Sequence, residues 1–252
     1  MTGDQYLLSL LAREAVDTGP NSPVRSVQTW LMPLLRQWAG NNLAAVHPSG
    51  SFMKGTAIRS GTDIDLFISL SETTQETLKE IHDKLFTKLT QNGYSPIRQN
   101  VSLNISVFGY SVDLVPAKRH RADAHDHSLY VRRAGTWQKT NVLTHIAFVR
   151  AVNRLQETRI LKLWRNQRGL DFPSFYLELV VARALAGRPS TLADNVSLVF
   201  EYLRDSFASA RFVDPANTNN ILSDELSAAD KQKIINAGKI ARATNFWKDI
   251  VR

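Results

Sequence analysis

At 252 residues, with 43% hydrophobic residues and five Trp, the chain is long enough for one large packed domain or two small ones. It has no Cys, which excludes disulfides and thiolate metal sites and fits a cytoplasmic protein. A formal net charge of +8 favours an anionic partner such as a nucleotide or nucleic acid, and no apolar run reaches the ~18 residues of a membrane span.

Acids among the apolar residues of the first stretch, MTGDQYLLSLLAREAVDTG, and the lack of a small-residue cleavage site predict no signal peptide. Apolar residues at three- and four-residue spacing predict helices over 5–17 and 26–39, split by the Gly19-Pro20-Asn21-Ser22-Pro23 breaker. Strands are expected at 44–47 and 62–70, joined by a segment bearing Gly and Ser. A helix follows over 72–92, opened by Ser71 and Glu72 and closed near Gly93. Residues 101–108 and 110–116 form a hairpin around Phe108-Gly109-Tyr110, ended by Pro116. Lys118, Arg119, His120, Arg121, His125 and His127 mark a basic loop able to touch phosphate or acceptor, with a metal site as the alternative. No strand is expected after about residue 140; helices are expected over 141–155, 156–169, 173–187, 192–208 and 227–250. The chain thus divides into 1–140, a mixed α/β half, and 141–252, a helical half. The whole is α+β, with a ligand site expected in the cleft between the halves.

The chemistry is concentrated in Gly50-Ser51-Phe52-Met53-Lys54-Gly55-Thr56 and Thr62-Asp63-Ile64-Asp65-Leu66-Phe67. Side chains alternate along a strand, so Asp63 and Asp65 share one face while Ile64, Leu66 and Ile68 take the other. Two acids so close repel unless a cation lies between them, and magnesium prefers oxygen ligands. Asp113, between Val112 and Leu114, supplies a third carboxylate if its strand lies alongside; three such groups can hold two metal ions about 4 Å apart. Gly50 and Ser51 suit phosphate, since glycine permits close backbone approach and amides with a hydroxyl bond phosphate oxygens. This is not a Walker loop, because Gly-Lys-Ser/Thr after the second glycine is absent. Alone, Asp-x-Asp is an ordinary solvated strand face and Gly-Ser means little. Thirteen residues apart, and followed by a hydrophobic-Asp-hydrophobic strand, they point to one site.

These motifs resemble the signature of polymerase-β-type nucleotidyltransferases. The nearest branch holds archaeal CCA-adding enzymes, oligoadenylate synthetases, cyclic GMP-AMP synthase and the bacterial CD-NTases. The resemblance implies a mixed-sheet catalytic domain followed by a helical domain. It also implies two Mg²⁺ ions on Asp63, Asp65 and Asp113, with Asp113 helping to activate the acceptor hydroxyl. Arg159-Ile160-Leu161-Lys162-Leu163-Trp164 resembles the helix whose lysine contacts the donor triphosphate. Ser174-Phe175-Tyr176-Leu177-Glu178-Leu179 resembles the next helix start, implying phosphate contact by Ser174 and a base near Tyr176 or Phe175. Asp214-Pro215 resembles a later turn, a structural role. The implied reaction moves NMP from an NTP, with ATP expected, to a hydroxyl of another nucleotide, making a linear or cyclic oligonucleotide signal in antiphage defence. The alternative acceptor is an RNA 3′ end, as in CCA addition; RNA could also be an activator. The short stretch after residue 235, where CCA-adding enzymes carry tRNA-holding domains, favours the small acceptor. No membrane partner is expected.

Overall fold

The computed structural model describes residues 1–61, 63–188 and 190–252. The chain forms two compact units, one of Asp17–Met53 and Asp63–Ile146, the other of Met1–Val16, Lys54–Thr62 and Ala147–Arg252. A single cut at 140/141 therefore does not divide it, because the first helix and the segment after Gly50-Ser51 go with the helical unit.

In the first unit, helix α1 (Gly3–Arg13) being elsewhere, the chain begins with α2 (Pro23–Ala39), β1 (Leu43–Pro48), the short helix α3 (Gly50–Lys54) and β2 (Ile64–Leu70). Helix α4 (Leu78–Gln91), β3 (Ile97–Arg98), β4 (Leu103–Val107), β5 (Tyr110–Arg119), β6 (His127–Val131) and β7 (Thr136–Thr140) complete it. The sheet runs β1-β2-β5-β4-β3, with β6 paired to β5 and β7 to β6. Among the described residues only β2 and β5 pair in parallel, in a register that sets Asp65 beside Asp113. One face of β2 (Ile64, Leu66, Ile68, Leu70) is buried, as are Val27, Leu31 and Leu35 of α2 and Ile81, Leu85 and Leu89 of α4. Helix α2 lies on β1 and β2, and α4 on β5 and β6. The apolar stripes of these helices thus fix which face of β2 is left for polar residues.

Four expectations change here. Helix α4 starts not at Ser71 but after Thr77, whose side chain and Glu80 form a reciprocal capping box. Strand β2 begins at Ile64, so Asp63 precedes it; the expected start at Thr62 lies outside the described residues. Pro116 does not end β5, which continues to Arg119, because its neighbours on both sides still pair. The basic stretch 118–127 is the end of β5, a turn and the start of β6. The β4–β5 turn is tight, with positive φ at Phe108 (53°) and Gly109 (81°).

The second unit packs α1, α6 (Leu155–Gln167), α7 (Ser174–Ala184), α8 (Leu192–Asp205), α9 (Ala228–Ala243) and α10 (Trp247–Ile250) about a single core. Helix α5 (Val142–Val152) runs from the first unit into this one. Trp164, Tyr176, Phe172, Phe200 and Phe207 are the largest enclosed side chains. Burying each such aromatic contributes about 1.5–3 kcal/mol. Helix α1 belongs here because Leu7, Leu10 and Leu11 enter that core. Glu14, just after α1, receives the amide of Ser60 at 2.8 Å on its side chain and that of Arg59 at 3.2 Å on its carbonyl, which ties down the 54–62 segment. A small antiparallel hairpin, β8 (Val213–Asp214) and β9 (Asn217–Ile221), corrects the expectation of no strand past 140. Asp214 accepts from the amide of Ala216 (2.8 Å) and from Asn220 Nδ2 (3.2 Å), which orders that turn.

Candidate active site

The carboxylates sit at one end of the parallel pair. Asp65 and Asp113 are register partners on β2 and β5, and side chains at paired positions of adjacent strands share a face. Asn104, opposite Asp113 on β4, donates from Nδ2 to Asp113 Oδ1 at 2.7 Å. Burial pushes the Asp113 pKa above the usual carboxylate value; the Asn104 hydrogen bond opposes this, and the nearby charge of Asp63 adds to the rise. Asp63 and Asp113 therefore lie within each other's field, and like charges so placed repel.

Gly50 completes that group. Its φ is +54°, and a Cβ there would fall 1.7 Å from Asp65 Oδ2 and 2.3 Å from Cγ. Only glycine fits where the backbone of α3 meets the Asp65 carboxylate. The Ser49 amide donates to the Asp65 carbonyl at 2.9 Å, which locks the start of α3 to β2. Ser51, half-buried, is the next residue of that helix. The donors are oxygens only, which fits a hard divalent ion in kind. Among the described residues, however, no three acids or histidines gather tightly enough about one point to hold a metal as they stand. Asp63, ahead of the strand and exposed, is the outlying member.

The helical unit holds a second charged cluster. Glu178 of α7 accepts from Lys54 Nζ (2.9 Å), Thr56 Oγ1 (2.7 Å) and Lys162 Nζ (3.0 Å). Lys162 also donates to Thr56 Oγ1 at 2.9 Å. The side chains of Glu178 and Lys162 are 1% and 3% exposed, so this network works without water. Burial alone would raise the Glu178 pKa, but the two lysine charges and their hydrogen bonds outweigh it and hold it at about 2. Burial lowers the Lys162 pKa, with Glu178 opposing. Two cations face one carboxylate, and Lys54 Nζ further lies 4.5 Å from the centroid of the Phe175 ring.

No family model matches the chain. It is 27% identical over 220 residues to the cyclic AMP-AMP-AMP synthase of Escherichia coli (strain MS 115-1), covering 77% of this chain and 68% of that protein. By sequence the chain is thus similar to a cyclic oligonucleotide synthase. The fold agrees. The ATP-bound structure of E. coli MS115-1 CdnC superposes with a TM-score of 0.78 at 21% identity, over 96% of this chain and 90% of that one. The same protein in complex with HORMA-deltaN gives 0.75 at 21% identity, over 95% and 89% of the two chains. The Cid1 poly(U) polymerase with Mg 3′-dATP gives 0.67 at 12% identity, over 97% and 95%.

The sequence-derived residues separate into two groups. Gly50, Asp65 and Asp113 are gathered, with Ser51 and Asp63 adjoining in sequence. Lys162 and Ser174 lie in the helical unit and are engaged: Lys162 as above, and Ser174 Oγ by Arg165 Nη1 at 2.9 Å. Tyr176 is the correction. It is 0% exposed, with ring centroids of Phe172, Phe207 and Phe212 at 5.3, 5.5 and 5.1 Å, so no base can reach its ring. Phe175, half-buried, is the less enclosed aromatic of that pair. Glu178, Thr56 and Asn104 were not singled out from sequence. A lone acid in Leu177-Glu178-Leu179 was the available signal, since apolar neighbours on a helix demand a buried partner for the charge.

Proposed function

We propose that this protein joins nucleotides. A ribose hydroxyl of one attacks the α-phosphorus of a bound NTP, the bond to the bridging oxygen of the β-phosphate breaks, and pyrophosphate leaves. The observation that carries this reading is the in-register pair of Asp65 and Asp113 with Gly50 pared to a hydrogen against the Asp65 carboxylate. The relative named as a cyclic AMP-AMP-AMP synthase supports ATP as donor, a second nucleotide as acceptor and a short linear or cyclic oligonucleotide as product. Such a product would act as a cytoplasmic signal in antiphage defence.

Asp63, Asp65 and Asp113 would hold the Mg²⁺, two ions in all. When bound, magnesium supplies positive charge at the phosphates and lowers the pKa of a coordinated hydroxyl. Asp113, whose pKa burial raises, is a stronger base than an exposed carboxylate and is suited to take the proton of the attacking hydroxyl. The Gly50 and Ser51 backbone and the Ser51 hydroxyl would receive phosphate oxygens. Lys162 and Ser174 would favour the triphosphate, Lys162 through the surplus positive charge of its cluster and Ser174 through Arg165. The HORMA complex of CdnC suggests a protein activator. Incubation with labelled NTPs and Mg²⁺, with and without tRNA, tests the reading. Oligonucleotides formed without RNA are expected. Products that appear only as extensions of an RNA 3′ end would replace it with RNA tailing.

A further inference from the structure

The carboxylate face of the sheet does not end at the acids. Strand pairing puts Phe67 and Ser69 of β2, Ala117 and Arg119 of β5, His127 and Leu129 of β6, and Ala45 and His47 of β1 on the face that carries Asp65 and Asp113. Within this unit Ala45, His47, Phe67, Ser69, Arg119 and His127 floor a pocket of about 410 Å³, walled by Met53 and by Val142, Leu143 and Ile146 of α5. Phe67, the next residue on that face after Asp65, stands ~7 Å further along the strand.

The polar end of the pocket has a fixed hydrogen-bond polarity. Arg119 Nε can only donate, and does so to Ser69 Oγ at 2.9 Å. The Ser69 hydroxyl must then donate to His127 Nε2, 2.8 Å away. His127 consequently carries its proton on Nδ1, which donates to the His125 carbonyl at 2.8 Å. Burial lowers the His127 pKa, as do the neighbouring charges of Arg119, His120 and His125, while its bond to the His125 carbonyl opposes them. Serine and histidine thus satisfy each other. Arg119 Nη1 reaches the Ala122 carbonyl at 3.3 Å; among the described residues the other N–H groups of Nη1 and Nη2 meet no protein acceptor. The pocket therefore offers apolar walls, an aromatic ring held edge-on to His127 (4.9 Å, 86°), and donors at its end.

We propose that this pocket seats the base of a substrate nucleotide and prefers guanine to adenine. The proposal deepens the nucleotidyl-transfer reading and rests on it. Guanine presents two acceptors, O6 and N7, side by side to a guanidinium, whereas adenine places an amino donor beside N7 and would set donor against donor. A planar ring between Phe67 and the α5 side chains fills the apolar part, and its ribose then points along β2 toward the acids.

Calorimetric titration with guanosine and with adenosine tests this, since neither carries phosphate and both report on the pocket alone. Guanosine should bind about ten-fold tighter, the discrimination one paired donor edge gives. Arg119→Met should erase the preference. Leu143→Trp, at a rim position that is 52% exposed, should weaken both nucleosides while the melting temperature stays put. Equal affinities in the wild type, or a preference that survives in folded Arg119→Met, overturns the proposal. So does undiminished binding in Leu143→Trp. Pyrophosphate release from NTPs, measured in parallel, keeps the two layers apart. Release without a guanosine preference sinks only the pocket, and a preference without release sinks the transferase reading beneath it.

Discussion

The two charged clusters treat charge in opposite ways. At the sheet, Asp63 and Asp113 are held within each other's field, and neutral hydrogen bonds from Asn104 and Ser102 compensate Asp113. In the helical unit, Glu178 is met by two lysines and a threonine, all in a region almost without solvent. Repulsion left standing in a folded protein is a cost that a bound cation removes, whereas a satisfied buried network holds parts in place. The contrast separates acids that gain from a bound cation from a cluster that orders the segment after α3 while keeping a surplus of positive charge.

That division can be broken most sharply at Glu178. Glu178→Gln leaves two buried ammonium groups without a carboxylate and should cost about 3–5 kcal/mol of stability. Lys162→Met should cost less, because Lys54 still neutralises Glu178. Urea unfolding of both variants checks the order, and equal losses would mean that Lys54 does not compensate. Asp63→Asn with Asp65→Asn should do the reverse: turnover falls by about 10²–10³-fold as several kcal/mol of metal-supplied stabilisation goes. The melting temperature of the apo protein should hold or rise. A variant that melts early would place those acids with the structural cluster instead. Gly50→Ala should hurt both properties, with ~1–3 kcal/mol of backbone strain at positive φ and displacement of the Asp65 carboxylate. Steady-state turnover and thermal melts should both move.

The mildest perturbation is acid. Glu178 has a folded pKa of about 2 against an ordinary 4.5, so its contribution to stability is full above pH 4.5. It is lost as pH falls from there toward 2. Melting temperature across that window should drop in the wild type more steeply than in Glu178→Gln. Parallel curves would show that the network does not set acid stability.

What could be read from the sequence follows the same line. Asp65, Asp113 and Gly50 were legible because strand alternation and a glycine at a close approach leave local marks. The Lys54–Glu178 bond was not, since its partners are 124 residues apart and nothing local pairs them. Tyr176 failed for a related reason: adjacent aromatics at a helix start look alike in sequence, and only packing decides that Tyr176 turns inward and Phe175 does not. Strands β6 and β7 were missed because the stretch up to His127 read as a basic loop and no element was assigned to 128–140, although the two strands pair over five registers. The start of α4 was a misread signal, as Thr77 and Glu80 spell a capping box that Ser71 and Glu72 only imitate.

The parallel register of β2 against β5 also acts as a proofreader of the molecule's own assembly. A slip of one residue would drive the Asp65 carboxylate into the space of Ile64 or Leu66, both almost wholly enclosed, and lift an isoleucine or leucine to the open face. Misassembled molecules would thus carry an unhydrated acid in their interior and be far less stable than correct ones. The residues that make the surface reactive therefore also make the wrong pairing intolerable, so a population that folds at all should be uniform in its competence.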